Sequence, residues 1–219
     1  MAFFIVAMKD ADLVSLHMKI PSEEIRTARL RLRRWRVDDV PLLAQAIEAS
    51  ILELERWTPW VIPDAPALEV LQDRLLKFSQ QFDAGEHFIY GIFDPVLDKV
   101  MGQVGLYGRI GPEALEIGYF ITSSEAGRGY ATEAAAALTH AAIEECAVDH
   151  VEIRCDPENA ASAVIPRRLG YQLREVAERD PLFPNDASRR LMIWQLFPAD
   201  YRRVAQLPPY TGILAGPSR

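Results

Sequence analysis

The sequence predicts a mixed α/β fold in which helices flank a central sheet. Several short runs are rich in residues that favour strands, one of them alternates with period two, and an alanine-rich helical stretch separates two of these runs. The runs at residues 87–93 and 100–107 are joined by a connection suited to a hairpin. The helical stretch from 129 to about 147 is typical of a crossover between strands. The predicted order β-α-α-β-β-β-α-β-α-β-β therefore excludes an all-parallel sheet.

The first strand is predicted at residues 29–33, where leucines alternate with arginines. This alternation places the leucines on a buried face and the arginines on a solvated face. Six arginines lie between Arg26 and Arg36. The alternation accounts for them without a nucleic-acid patch.

The remaining elements follow from apolar periodicity and from turn residues. A helix is predicted after Asp38 and Asp39, through an apolar-periodic stretch that ends at Ile51, because acidic residues favour a helix N-terminus. Further helices are predicted at 67–82, 129–147 and 159–169, and further strands at 115–121, 151–155, from 171, and at 191–197.

The composition limits the class of partner. The chain has 24 basic and 31 acidic residues among 219, a net charge of −7, which disfavours nucleic acid and favours a cationic or amine-bearing partner. Two cysteines cannot supply a disulfide framework or a structural zinc site, so we expect a reducing compartment, the cytoplasm. No apolar run approaches the ~20 residues of a membrane helix, so we expect no membrane partner. Isolated histidines predict no metal site.

One domain is predicted at residues 26–197, between two appended segments. Residues 1–25 are expected to be an N-terminal extension, since the apolar start has no basic flank and is too short for a signal peptide. Residues 198–219 form a tail rich in proline and glycine, which we expect to form neither a helix nor a central strand. The sequence is compatible with a homodimer and does not fix the oligomeric state.

The most informative stretch is a predicted strand that leads through a glycine-bearing turn into a helix. Gly127 and Gly129 permit backbone conformations and a close approach that a side chain would block. Free N–H groups at such a turn form an anion site that would accept a pyrophosphate. A glycine turn that only connects strand to helix is the alternative. The pattern is neither GxxxxGK[ST] nor GxGxxG, so nucleoside triphosphate and dinucleotide sites are disfavoured.

Five motifs in order resemble the GNAT superfamily of acyl-CoA-dependent N-acyltransferases, specifically its RimJ/RimL-type ribosomal-protein N-acetyltransferases. The resemblance covers residues 26–197. Its motifs are TARLRLR at 27–33, LERWTPW at 54–60, EIGY at 116–119, GRGYATEA at 127–134, and NAAS at 159–162 followed by LGY at 169–171. It implies a central mixed, largely antiparallel sheet flanked by helices.

The resemblance also implies acetyl-CoA as cosubstrate. In that family the turn amides hold the CoA pyrophosphate, the preceding strand pairs with pantetheine, and the asparagine and serine of the later motif approach the cofactor. The implied cofactor contacts here are Phe120, Ile121, Ala126, Gly127, Arg128, Gly129, Tyr130, Ala131, Thr132, Asn159 and Ser162.

The sequence departs from the family in two places. Ala126 stands where the glycine motif often begins with Gln or Arg, which a site built on backbone N–H groups tolerates. Pro166 stands where many relatives have a tyrosine general acid, so that acid is excluded at this position.

Acetyl transfer to an amine needs a group that accepts the amine's proton, and Glu116 is the predicted general base. Its alternative role is an ion pair with an arginine on a neighbouring strand. A strand N–H near residues 117–119 would stabilise the oxyanion. Ser162 is the predicted donor to the leaving thiolate, with Tyr171 as a second candidate.

Trp57 and Trp60 are predicted to line the acceptor entrance, where the resemblance places their segment. Core filling is the alternative for both indoles. Cys155 is expected to be a small buried hydrophobe, since no partner that would lower the pKa of its thiol is evident.

The predicted function is direct transfer of acetyl from acetyl-CoA to a primary amine, either a protein N-terminal α-amine or a small amine such as an aminoglycoside or polyamine. A catalytically silent acyl-CoA-binding or interaction module is the alternative from another class.

Overall fold

An eight-stranded sheet organises the chain, which we describe from a computed structural model that covers residues 19–57, 67–97, 99–178, 190–208 and 210–211. The strands are β1 (Glu24–Arg26), β2 (Arg31–Arg34), β3 (His87–Phe93), β4 (Val100–Tyr107), β5 (Ala114–Ile121), β6 (His150–Cys155), β7 (Gln172–Glu178) and β8 (Arg190–Leu196). Their order is β1-β2-β3-β4-β5-β6-β8-β7. Only β5 and β6 pair in parallel among these strands, so the predicted mixed, largely antiparallel sheet is confirmed.

Helices cover both faces of this sheet. They are α1 (Val40–Glu48), α2 (Ile51–Trp57), α3 (Leu68–Asp83), α4 (Tyr130–His140), α5 (Ala160–Arg168) and α6 (Pro198–Val204). The single helix predicted to end at Ile51 is wrong, because the chain divides it into α1 and α2 at Ser50. The Ser50 carbonyl accepts the N–H groups of Glu53 and Leu54, so it begins a new helix instead of continuing the first.

The two faces of β5 contact different parts of the core. Leu115 and Ile117 pack with the alanines of α4, four of which, residues 134–137, are at most 1% exposed. Phe120 packs in the second cluster, with residues of α1 and α3. Successive strand residues point to opposite faces, so β5 presents one set of side chains to α4 and α5 and the other to α1–α3. The helix predicted from 129 to about 147 becomes π-helical at Ala141–Glu145.

The arginines of the first predicted strand do not form a solvated face. Leu30 and Leu32 are buried as predicted, but Arg33 is buried too, with 7% of its side chain exposed. Its guanidinium donates to both oxygens of Asp39, at 2.7 and 2.9 Å, and lies 4.0 Å from the Phe93 ring centroid. The prediction of a solvated second face failed because that face is covered too: Phe93, on which Arg33 lies, packs in a second core cluster with residues of α1 and α3.

The C-terminal segment contains a helix, contrary to the prediction. Pro198 lies in the first turn of α6, where its missing N–H costs no helical hydrogen bond. Tyr201 and Tyr210 are 3% and 1% exposed, and the Tyr210 hydroxyl donates to the Leu169 carbonyl at 3.1 Å. The described part of this segment therefore belongs to the core. The predicted domain boundaries, between residues 25 and 26 and between residues 197 and 198, stay predictions.

Asp39→Asn is expected to lower the free energy of unfolding by about 3 kcal/mol at neutral pH, because it leaves a buried guanidinium without its counter-charge. Burial raises the pKa of Asp39, but hydrogen bonds from Arg33 and from the Arg36 amide outweigh burial and hold this pKa below its ordinary value. A depressed carboxyl pKa adds stability that is present above about pH 4 and disappears as the pH falls through the folded-state pKa.

Urea titrations of both proteins between neutral and acidic pH check this expectation, and the difference in unfolding free energy should shrink in acid. Asp83→Asn is the control, because Asp83 also pairs with a β2 arginine, Arg34, but its side chain is 67% exposed. A difference of the same size at every pH would contradict the assignment to the Asp39 charge.

Candidate active site

The parallel strands β5 and β6 separate partway along their length. Their pairing ends at Ile117 opposite Ile153, while β5 continues to pair with β4 as far as Ile121. Beyond Ile117 the β6-facing backbone groups of β5 therefore have no strand partner among the described residues. Extended backbone with free N–H and C=O groups can pair with an elongated polar ligand. The predicted cofactor residues Phe120 and Ile121 lie on this separated part of β5.

A glycine turn follows the separated end of β5 and opens α4. Gly127 and Gly129 have φ values of 77° and 81°, in the left-handed region that favours glycine. A Cβ at Gly127 would meet no atom within 4 Å, so the turn is open on that side. Gly129 is the N-cap of α4 and its helix end has no side-chain cap, so the N–H groups of the first turn are available to an anion.

The turn brings together most of the predicted cofactor residues. The first three in chain order are exposed, the next three are partly buried at the start of α4, and Thr132 is buried. In chain order these seven are Ala126, Gly127, Arg128, Gly129, Tyr130, Ala131 and Thr132. Arg128 forms an ion pair with the buried Glu125 at 3.1 Å, and Lys99 donates to the same carboxylate at 2.7 Å. Cationic side chains therefore lie beside the amides that would face an anion.

Glu116 lies in the paired part of β5, one residue before the strands separate. Its side chain is 7% exposed, and Arg109 donates to both carboxylate oxygens, from Nε at 2.9 Å and from Nη2 at 2.6 Å. Arg154 lies 4.0 Å from the same carboxylate. The ion pair that was the alternative role for Glu116 is therefore present. Two such bonds leave further lone pairs on the carboxylate, so the pair orients Glu116 without occupying it fully.

A second buried carboxylate, Glu152, lies beside Glu116 and was missed by sequence reasoning. The two residues are register partners on β5 and β6. Glu152 accepts hydrogen bonds from Arg154 and Gln195, both at 2.7 Å, and His150 lies 3.4 Å away. The strand pattern VEIRC at 151–155 could have indicated it, because Glu152 alternates with buried apolar residues inside a covered strand.

Ser162 lies on the opposite side of the separation, near the start of α5. The N-cap Asn159 accepts the Ser162 N–H at 2.9 Å, so this asparagine has a structural role that orients the helix. The Ser162 hydroxyl lies 3.1 Å from the Tyr119 hydroxyl. Tyr119 extends from the separated part of β5, so the two hydroxyls connect the two sides.

Tyr119 is a further candidate functional residue. It lies in the EIGY motif, but the sequence analysis gave its side chain no role. Pro166 has no N–H, so the Ser162 carbonyl four residues earlier lacks its helical donor. The Tyr119 hydroxyl lies 3.3 Å from that carbonyl and can donate to it. Desolvation by burial raises the pKa of the Tyr119 phenol, so it stays protonated and acts as a donor at neutral pH.

Tyr171 and Cys155 are structural in this arrangement. The Tyr171 hydroxyl lies 2.7 Å from the Thr139 hydroxyl in the core, and only 4% of the residue is exposed. Its candidacy as the thiolate donor is therefore not supported. Cys155 is buried, and desolvation raises the pKa of its thiol, as expected for a small hydrophobe.

Trp57 ends α2 on a partly exposed surface. Its indole N–H donates to Glu53 at 2.9 Å, and the Arg56 guanidinium lies 4.6 Å from its ring centroid. Trp57 is not among the buried core residues, so it is available to line an entrance. Trp60 lies outside the described residues.

Neither metal ligation nor membrane insertion is indicated within the described ranges. No group of three or more potential metal-ligating side chains occurs among those residues. None of the helices described has the length and apolar character that crossing a bilayer requires.

Comparisons with known proteins agree with this geometry. A family model described as an acetyltransferase (GNAT) domain matches residues 29–172. The curated protein "Probable N-acetyltransferase YjcK" of Bacillus subtilis (strain 168) is 26% identical over 120 residues, which span 53% of this chain and 66% of YjcK, just under two thirds of its length.

Two solved structures share the fold. Mycobacterium smegmatis RimJ in complex with CoA-disulfide gives a TM-score of 0.74 at 20% identity, over 88% of this chain and 92% of RimJ. RimL, a ribosomal L7/L12 α-N-protein acetyltransferase in complex with coenzyme A, gives 0.71 at 20% identity, over 79% of this chain and 96% of RimL. Because the family model covers more than half of the chain and the strand separation and glycine turn lie inside the match, this protein belongs to the GNAT acetyltransferase family.

Proposed function

We propose that this protein transfers an acetyl group from acetyl-CoA directly to a primary amine, in a ternary complex without a covalent enzyme intermediate. The observation that carries the proposal is the position of two polar groups on opposite faces of β5. Glu116 and Tyr119 are three residues apart on one strand, so their side chains point to opposite faces. Direct transfer needs a proton acceptor near the amine and a proton donor near the thiolate, and this arrangement supplies one on each face of the strand.

The cofactor would lie along the separated edge of β5 and the glycine turn. Pantetheine would pair with the free backbone of residues 118–121, and the pyrophosphate would accept the N–H groups at Gly129 and the first turn of α4. A strand N–H of β5 near residues 117–119 would stabilise the tetrahedral oxyanion. The separated end of β5 and the open glycine turn support this orientation, because the strand leads directly into the turn.

Glu116 is the proposed general base. A lysine amine titrates near ~10.4 and an α-amine near ~8, so the attacking amine must lose a proton at neutral pH. The bidentate contact with Arg109 fixes the carboxylate, and its remaining lone pairs accept that proton directly or through one water. The alternative is that Glu116 only holds Arg109 in place.

Ser162 and Tyr119 are the proposed donors to the leaving thiolate. Each hydroxyl has the other as a neighbour, so a proton given by one can be replaced through the second. This pair takes the place of the tyrosine that Pro166 excludes from α5.

The acceptor is proposed to be a protein N-terminal α-amine. RimL is described as acting on the α-N position of a ribosomal protein, and the −7 charge suits any cationic acceptor. A small amine is the second candidate acceptor. Free thiol released from acetyl-CoA with a panel of peptide and small amines, followed by mass spectrometry of the products, distinguishes the two. Absence of turnover with every amine, with CoA still bound, would favour a silent acyl-CoA-binding module.

Gly129→Asp is expected to weaken CoA binding more than tenfold, because it adds a negative charge at the turn that repels the pyrophosphate, and because its carboxylate would pair with Arg29, whose Nη2 lies 3.6 Å from the Cβ position. Gly129→Asn is the matched control, since Asn and Asp tolerate the left-handed region similarly but differ in charge. We expect CoA affinity to decrease in the order wild type, Gly129→Asn, Gly129→Asp, and isothermal titration calorimetry measures it. Equal affinities in three folded proteins would move the pyrophosphate away from this turn.

Glu116→Gln is expected to lower kcat/KM by about 10²-fold at neutral pH, with partial recovery at higher pH, where more of the acceptor amine is already neutral. Glu152→Gln is the control, because it removes the neighbouring buried carboxylate on the same face and should change kcat/KM only a few-fold. Rates are measured from pH 6 to pH 9 with one acceptor and verified CoA binding. Full activity of Glu116→Gln throughout that range would exclude it as the base.

Tyr119→Phe and Ser162→Ala are each expected to lower kcat by about tenfold, because each removes one donor from the thiolate side. The loss should not vary with the pKa of the acceptor amine, and the double variant should lose less than the two single losses combined, since the hydroxyls contact each other. A series of amines of different basicity supplies the measurement. A loss that grows with amine pKa would instead assign these hydroxyls to the acceptor side.

A further inference from the structure

Residues without an assigned role in two sequence motifs, Thr27 and Arg29 in one and Glu133 in the other, meet at one buried carboxylate. Glu133, in the first turn of α4, has only 2% of its side chain exposed. Its carboxylate accepts hydrogen bonds from the Thr27 hydroxyl at 2.6 Å, the Arg29 backbone N–H at 2.9 Å and the Arg29 Nε at 2.7 Å. The Arg29 Nη2 adds an ion-pair contact at 2.6 Å. The segment before β2 is therefore attached to the helix that follows the glycine turn.

Arg29 extends this contact into the turn itself. Its Nη1 donates to the Arg128 carbonyl at 3.0 Å, and Nη2 lies 3.6 Å from the position that a Cβ on Gly129 would take. Its guanidinium carbon also lies 4.7 Å from the ring centroid of Tyr130, the first residue of α4. One guanidinium thus contacts a residue on each side of Gly129.

The contact with the Arg128 carbonyl determines the direction of the next N–H. A trans peptide unit is planar, so its C=O and N–H point in opposite directions. Because Arg29 binds the carbonyl of the unit between Arg128 and Gly129, the Gly129 N–H must point away from Arg29. It is therefore held toward the open side of the turn, where the proposed pyrophosphate would lie.

We infer that Arg29 and Glu133 are positioning residues for the diphosphate of the acyl donor: Glu133 fixes Arg29, and Arg29 fixes the peptide whose N–H binds the diphosphate. This inference rests on the proposed function, since it needs CoA at the glycine turn. Preorganised amides bind an anion more tightly than amides that must reorient, because the cost of orienting them falls on folding.

Simple charge counting predicts the opposite result for Glu133. Removing a carboxylate beside a bound polyanion would strengthen binding if only the summed charge mattered. Loss of orientation would weaken binding, although the site becomes more positive. The sign of the change in CoA affinity on Glu133→Gln therefore separates positioning from bulk electrostatics.

The experiment compares two acyl donors, acetyl-CoA and S-acetylpantetheine, which lacks the diphosphate. For Glu133→Gln and Arg29→Gln, kcat/KM with acetyl-CoA should fall about tenfold or more, and CoA binding measured by calorimetry should weaken to the same extent. With S-acetylpantetheine, kcat/KM should stay within about twofold of wild type, because nothing in that donor reaches the turn.

Two further variants control for charge and for general loss of stability. Arg29→Lys keeps the charge but replaces by one nitrogen the three nitrogens through which Arg29 contacts Glu133 and the Arg128 carbonyl, so it should resemble Arg29→Gln more than wild type. Arg34→Gln removes an arginine that pairs with Glu23 and Asp83, away from the turn, and should affect neither donor selectively.

Each outcome decides between defined alternatives. Tighter or unchanged CoA binding by Glu133→Gln, full rescue by Arg29→Lys, or equal losses with both donors would overturn the inference while the proposed function stands. A wild-type protein that does not bind CoA would instead overturn the proposed function. Should Glu133→Gln fail to fold, Thr27→Val removes one donor to Glu133, and it should cost about threefold with acetyl-CoA alone. No change in that variant would count against the inference.

Discussion

The end of pairing between β5 and β6 is the constraint on which the candidate site depends. After Ile117, β5 follows β4, and β6 follows β8 as far as Cys155 opposite Met192. A separation inside a sheet exposes backbone groups that the interior would otherwise require to be paired. Both strands also run in the same direction, so α4 and α5 begin at the open end. The N-terminus of α4, the Ser162 hydroxyl and the free strand edge therefore come together at the carboxyl ends of two parallel strands, where open α/β sheets bind ligands.

An unsatisfied backbone carbonyl in α5 also explains the position of the Tyr119 hydroxyl. A proline inside a helix leaves one carbonyl without a donor, and here that carbonyl belongs to Ser162. Tyr119 reaches it from the other side of the separation. Pro166 thus leaves a carbonyl that accepts a hydrogen bond from a tyrosine of β5.

The strands and the glycine turn could be predicted from the sequence because their signals are local. The bounds of β3 and β4 match the predicted 87–93 and 100–107, since runs rich in strand-favouring residues and bordered by turn residues can be recognised without tertiary information. The burial of Arg33 could not be predicted in this way, because it depends on tertiary contacts with Asp39 and Phe93 on the face that α1 and α3 cover. Likewise, Tyr119 lies in the EIGY motif, but its contact with the Ser162 carbonyl depends on Pro166, which is 47 positions later in the chain.

Three buried carboxylates near the separation each pair with an arginine that is partly exposed, unlike the Arg33–Asp39 pair, in which both partners are buried. The side chains of Glu116, Glu133 and Glu152 are 7%, 2% and 5% exposed, whereas their arginine partners, Arg109, Arg29 and Arg154, are 54%, 49% and 31% exposed. A guanidinium that keeps its hydration avoids much of the desolvation cost of a fully buried pair. It also keeps N–H groups directed to solvent, since five donors exceed what one carboxylate can accept. The Asp39 pair has both partners buried, whereas these three pairs fix a carboxylate inside the protein and leave the guanidinium partly exposed to solvent.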